Sequence, residues 1–280
     1  MDSKLNLKLD YLPGLGYLLF QSHIPVKRKI EVTNNSDEVL EGLILFLNSS
    51  DEFSVPKQIK IDTILPRETF EINDLKIKIQ GKFFAYLTER MRGAWEITIQ
   101  KNDQILVKQD FDLDLLAFDQ WLGSSLMPEL VTGFVLPNIP ELTPLVKKAA
   151  EFLKTWSGSS AFDEYQSKNP NRVKTQIGAI YAAIKALNIV YQSVPASFGS
   201  LGQRIRLSDQ VLANKLGNCL DLSLLFASAL ENIGLNPILV IIEGHAFVGC
   251  WLVEDTFPDS VNDDPSLLTK RMASGIHEII

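Results

Sequence analysis

The sequence predicts an α+β protein in two parts: a β-rich first portion, then a portion in which helices pack on a short sheet. Three observations lead there. Up to about Leu116 apolar residues recur with period two between turn clusters, after Pro140 they recur at three- and four-residue steps, and from Asp119 to Pro140 neither period holds. A chain of 280 residues suits two domains, expected at residues 1–118 and 141–280 with a connection over 119–140.

In the first part Lys4-Leu5-Asn6-Leu7-Lys8-Leu9 alternates strictly. Ile30-Glu31-Val32 runs into the turn cluster Asn34-Asn35-Ser36-Asp37, and Val39 to Leu47 resumes the alternation. Further strands are expected over 58–62, 70–77, 94–100 and 104–112, the last two joined as a hairpin through Lys101-Asn102-Asp103. Short strands at this spacing, with almost no helical periodicity, predict an immunoglobulin-like β-sandwich. Its one histidine, His23, reads as a surface or hydrogen-bonded residue, so no catalytic cluster is expected there.

The connection carries Trp121-Leu122-Gly123, Met127-Pro128 and Leu136-Pro137-Asn138, which break any period. Beyond it Leu142, Leu145, Val146, Ala149, Phe152 and Leu153 mark one amphipathic helix. Asn169-Pro170 caps a second, whose buried face is Val173, Ile177, Ile180, Tyr181, Ile184 and Leu187. A short helix is expected after Ser208. Leu220 to Ile233 is apolar around most of its circumference, so it should be a central, buried helix stopped by Gly234. Two strands follow, Ile238–Ile242 and His245–Val253. In the second, His245, Phe247, Gly249 and Trp251 share one face, and Ala246, Val248, Cys250 and Leu252 the other. Pro265 opens a last short helix that Gly275 can end, and residues 276–280 begin another strand.

The balance of 27 basic and 34 acidic residues gives a formal charge of −7, mixed along the chain without a Lys/Arg run, so nucleic-acid capture is not indicated. The longest apolar run, Ile238 to Ile242, is far short of the roughly 20 residues that cross a bilayer. No membrane partner is expected. MDSKLNLKLD lacks the apolar core of a signal peptide and cysteines number two, which together predict a cytoplasmic protein.

Chemistry concentrates in Lys215-Leu216-Gly217-Asn218-Cys219-Leu220-Asp221. Asn218 is a good N-cap, which puts Cys219 in the first turn, where unpaired N–H groups and the positive helix end favour a thiolate and could hold a developing oxyanion. A nucleophilic thiolate also needs an acid/base partner. His245 is the candidate: helix, returning strand and turn can bring it back to the helix N-terminus. The competing reading is a small apolar cysteine at the start of a buried helix. Cys250, on the opposite strand face from His245, is expected in the core. Two cysteines and three histidines lack paired metal-ligand spacing, so neither a metal nor another cofactor is expected.

The run LSDQVLANKLGNCLDLSLLFASALENIGLNPILVIIEGHAFVGCW resembles a bacterial transglutaminase-like (papain-like) cysteine protease domain, over about residues 200–255. The resemblance implies a central helix packed on an antiparallel sheet. Cys219 would be nucleophile, His245 general acid/base, and Gln203 a polar group near the oxyanion. The acid that orients His245 is left open between Glu278, Asp255 and a residue past Ile280, and Asp221 is expected to support the helix start rather than react. LTERMRGAWEITI, FDQWLG, FVLPN and ASFGSLGQRIRL extend the similarity to the N-terminal region of large bacterial proteins of anti-phage defence. That implies a truncated chain, followed in the full protein by helicase and nuclease-like domains. The implied function is cysteine-dependent hydrolysis, or acyl transfer, on a peptide or protein substrate. A catalytically inactive protease-like binding or regulatory module is the alternative.

Overall fold

Alternation in the first part becomes two sheets. In the computed structural model, which describes residues 4–24, 26–193, 198–273 and 278–280, contacts divide the chain into a unit of residues 1–122 and a unit of residues 123–280. The first contains β1 (Leu5–Asp10), β2 (Gly14–Leu15), α1 (Tyr17–Gln21), β3 (Val26–Asn34), β4 (Leu40–Ser49), β5 (Lys57–Ile64), β6 (Thr69–Ile77), α2 (Gly81–Ala85), β7 (Met91–Lys101), β8 (Gln104–Leu115) and β9 (Gln120–Trp121). One sheet has the order β1-β3-β6, the other β2-β8-β7-β4-β5. The registers Leu7 opposite Val32 and Leu45 opposite Ile99 put apolar side chains on one face of each sheet. Those faces form the core of this two-sheet unit, with Leu5, Ile30, Leu45, Trp95 and Ile97 all buried.

Turn chemistry fixes the corners. The expected hairpin turns through Asn102 and Asp103, both at positive φ (46° and 63°), the pair of left-handed residues a type I′ turn requires. Asn34 is wholly buried at the expected turn cluster: its amide donates to the carbonyls of Glu38 (2.8 Å), Ile64 (3.2 Å) and Leu65 (3.1 Å). The short helices α1 and α2 interrupt the strands where no helical period is legible.

The second unit contains α3 (Leu142–Ser157), α4 (Pro170–Ala186), β10 (Val190–Tyr191), β11 (Gln203–Arg204), α5 (Ser208–Asn214), β12 (Leu216–Gly217), α6 (Cys219–Asn232), β13 (Pro237–Ile242), β14 (His245–Cys250) and α7 (Pro265–Ala273). The chain is thus mixed α+β. Residues 123–140, expected as a connection, are folded into this unit. A short 3-10 helix, Pro128–Phe134, buries Leu130, Val131 and Phe134. The Leu136 N–H donates to Ser228 Oγ at 2.8 Å and Asn232 to the Pro137 carbonyl at 2.7 Å, which ties the segment to α6.

Helix α6 is central. Leu225, Ala229, Leu230 and Ile233 share one core with Leu145 and Leu153 of α3, Val173 and Ile180 of α4, and Cys250 of β14. β13 and β14 form an antiparallel hairpin, and β14 is bridged on its other side, Trp251 to Ile279. The buried Tyr165 hydroxyl locks this end: it donates to the Trp251 carbonyl (3.1 Å) and accepts from the Asn236 N–H (2.9 Å). Gly275 and residues 276–277, expected as helix stop and strand start, lie outside the described residues.

Candidate functional site

Cys219 is the first residue of α6, and the sequence holds that start through a reciprocal cap. Asn218 Oδ1 accepts from the Asp221 N–H at 2.9 Å, and Asp221 Oδ2 accepts from the Asn218 N–H at 3.0 Å. Asp221 is only 1% exposed. Its charge is met by Arg206, whose N–H reaches Oδ1 at 2.9 Å and whose Nη1 reaches Oδ2 at 3.1 Å. Asp221 is therefore spent on the helix start.

The thiol is partly exposed and its neighbour is a phenol. β10 pairs in parallel with β12, Tyr191 opposite Gly217, with Val190 N–H donating to the Lys215 carbonyl (2.8 Å) and Gln192 N–H to that of Gly217 (2.9 Å). This brings Tyr191 against Cys219. Partial burial, then the thiol's charge and a hydrogen bond with it, hold the phenol above its usual range, while a hydrogen bond from the Cys219 backbone works the other way. Tyr191 is 53% exposed, so water attenuates these effects. Arg206 completes the cluster, its Nη2 donating to Gln192 Oε1 at 2.5 Å.

His245 opens β14. The C-terminal end of that strand sits at the C-terminal end of α6, since the Trp251 N–H donates to the Asn236 carbonyl (3.1 Å) and Cys250 packs in one core with Leu230. Going back from Cys250 to His245 covers about 17 Å of strand, and from Leu230 to Cys219 about 16 Å of helix. The strand thus returns toward the helix N-terminus. By alternation Ala246 and Cys250 are buried and the His245 and Phe247 side chains point outward, their rings 6.4 Å apart. Among the described residues the His245 imidazole makes no hydrogen bond or ion pair.

The two expected acids are drawn elsewhere. The Leu252 N–H donates to the Glu278 carbonyl at 2.6 Å, so Glu278 pairs seven residues along from His245, about 23 Å of strand. Its carboxylate takes Arg271 Nη1 at 2.9 Å, and Asp255 takes the same nitrogen at 3.3 Å. Glu278 and Asp255 accordingly meet at Arg271, and neither is brought to the imidazole. Gln203 is buried, its amide donating to the Arg204 carbonyl at 2.9 Å.

A cavity of about 460 Å³, lined by Glu164, Tyr165, Lys168, Gly234, Asn236 and Glu254, sits at the C-terminal end of α6, away from the thiol. Among the described residues no three His, Cys, Asp or Glu side chains gather as a metal site, and no helix is long and apolar enough to cross a membrane. Tyr191, Gln192 and Arg206 are absent from the sequence-based candidates. A two-residue strand has no period to read.

No family model and no curated protein matches the chain. Among solved structures it is similar to the CARDB domain of a Pyrococcus furiosus protein, determined by solution NMR, at 8% identity over 41% of this chain and 95% of that one, with a TM-score of 0.30. It is also similar to a structural-genomics target solved by X-ray crystallography, at 11% identity over 40% of this chain and 86% of that one, with a TM-score of 0.22.

Proposed function

We propose that the second unit is a transglutaminase-like, cysteine-dependent acyl-transfer module acting on a peptide or protein substrate in the cytoplasm, and that the first is an immunoglobulin-like sandwich. The chain is then the leading part of a larger helicase-type defence protein. One observation carries the chemistry: Cys219 stands, partly exposed, at the first position of a helix whose start is fixed by a complete capping box. Such a position presents the sulfur at the positive end of the helix and offers backbone N–H groups to an oxyanion. Cys219 Sγ attacks the substrate carbonyl, His245 protonates the departing amine, and the acyl-enzyme is released to water or to an amine acceptor.

A peptidyl vinyl sulfone, which alkylates activated thiols, tests this. Labelling is expected to be abolished in Cys219→Ala, retained in Cys250→Ala, and slowed about a hundredfold in His245→Asn. If Cys219 reacts no faster than a free cysteine peptide, the nucleophile reading falls. The outward imidazole, with Glu278 and Asp255 both paired to Arg271, favours a second reading, an inactive protease-like binding module. Unchanged labelling in His245→Asn would select it.

A further inference from the structure

We propose that Arg206 is a positioning residue for the Cys219 thiol: by holding Asp221 and Gln192 together it locks β10 against the first turn of α6 and keeps the Tyr191 phenol on the sulfur. This rests on the reading of Cys219 as the reactive group and adds what sets its surroundings. The guanidinium bonds to both pieces, with Nη1 on Asp221 Oδ2 at 3.1 Å and Nη2 on Gln192 Oε1 at 2.5 Å. Its own backbone N–H adds a third bond, to Asp221 Oδ1 at 2.9 Å.

The pairing that this clamp supports is short. β10 is two residues long and pairs with β12 through the two backbone hydrogen bonds at its ends, and its side chains Val190 and Tyr191 are exposed. A free two-residue pairing is marginal, whereas a planar fork that satisfies two acceptors at once fixes both distance and angle. Gln192 is next to Tyr191, and Asp221 is two residues beyond Cys219. Fixing the first pair of residues therefore fixes the second. The Tyr191 phenol keeps its proton at neutral pH, so it is available as a hydrogen-bond donor to the sulfur.

The test is the rate at which iodoacetamide alkylates Cys219 in the full chain at neutral pH, read peptide by peptide with Cys250 as internal reference. Tyr191→Phe, which keeps the ring and removes the donor, is expected to slow it about tenfold, as loss of a charge-assisted hydrogen bond does. Arg206→Gln and Gln192→Leu are expected to slow it about three- to tenfold. The second of these leaves the Asp221 pair intact and serves if the first does not fold. In the Tyr191→Phe background neither should slow it further, and the ultraviolet thiolate absorbance lost in Cys219→Ser should fall in the same variants.

Additive slowing, faster alkylation, or rates within twofold of the parent in Arg206→Gln and Gln192→Leu would overturn the clamp. A fast vinyl sulfone reaction with no effect of these variants removes the clamp and leaves the nucleophile. Shared slowing by all three variants, with Cys219 no faster than a free cysteine, keeps the clamp and removes the nucleophile.

Discussion

Cys250 and Cys219 are the same residue type in opposite settings, and burial separates their chemistry. Burial beside Val248 and Leu230 pushes the Cys250 thiol from an ordinary 9.0 up to about 12, against a hydrogen bond with Tyr165 that works the other way. The folded chain thus keeps a proton that the unfolded chain releases above 9.0. Stability is full below that pH and declines as pH climbs toward 12, by up to about 1.4 kcal/mol per pH unit. Cys250→Ala, which carries no such proton, is expected to lose about 2 kcal/mol less than the parent between about pH 7.5 and about pH 10.5. Urea unfolding at both values checks it, and equal losses would show that burial does not hold this proton. At this scale the sequence is legible where chemistry is local: Asn218 as cap and Cys219 in the first turn follow from neighbours three residues apart. Tyr191 reaches Cys219 through strand pairing and Arg206 reaches Asp221 from a loop fifteen residues earlier, which no local signal encodes.

Elements were readable in proportion to their length. The period of 3.6 in α4 and the all-round apolar surface of α6 located both helices, and Asn169 accepts from the Asn171 N–H at 3.0 Å as a cap before proline should. Strand pairing was less accessible, because register depends on partners: nothing around Glu278 announces that it lies opposite Leu252 rather than His245. One hairpin was readable down to its turn. Asp103 sits at φ 63° in the second place of the β7–β8 turn, where glycine pays no steric penalty. Asp103→Gly is expected to stabilise the first unit by about 0.5–1 kcal/mol. Thermal unfolding followed at the buried Trp95 measures it, and a lower midpoint would mean that the aspartate makes up its strain elsewhere.

For the whole molecule, the period-two pattern ends near Leu116 and the helical one begins after Pro140, while contacts divide the chain after Leu122. What composition could not convey is that residues 123–140, irregular in pattern, bury Leu130, Val131 and Phe134 and bond to Ser228 and Asn232 of α6. Irregular sequence is compatible with a packed segment when its apolar residues find a core. Each unit carries its own core, so lesions in one should leave the other's stability unchanged. Leu45→Ala in the first unit and Leu230→Ala in α6 remove side chains that are both fully buried, and each is expected to cost about 3 kcal/mol. Calorimetry on the full chain should show two transitions, one lowered by each substitution. Cys219 alkylation provides the independent readout, since opening of the second unit exposes the thiol: Leu230→Ala should alter its rate near the second transition and Leu45→Ala should not. If both substitutions lower one shared transition, the two cores unfold as a single cooperative body, and the first unit becomes part of what keeps the start of α6 in place.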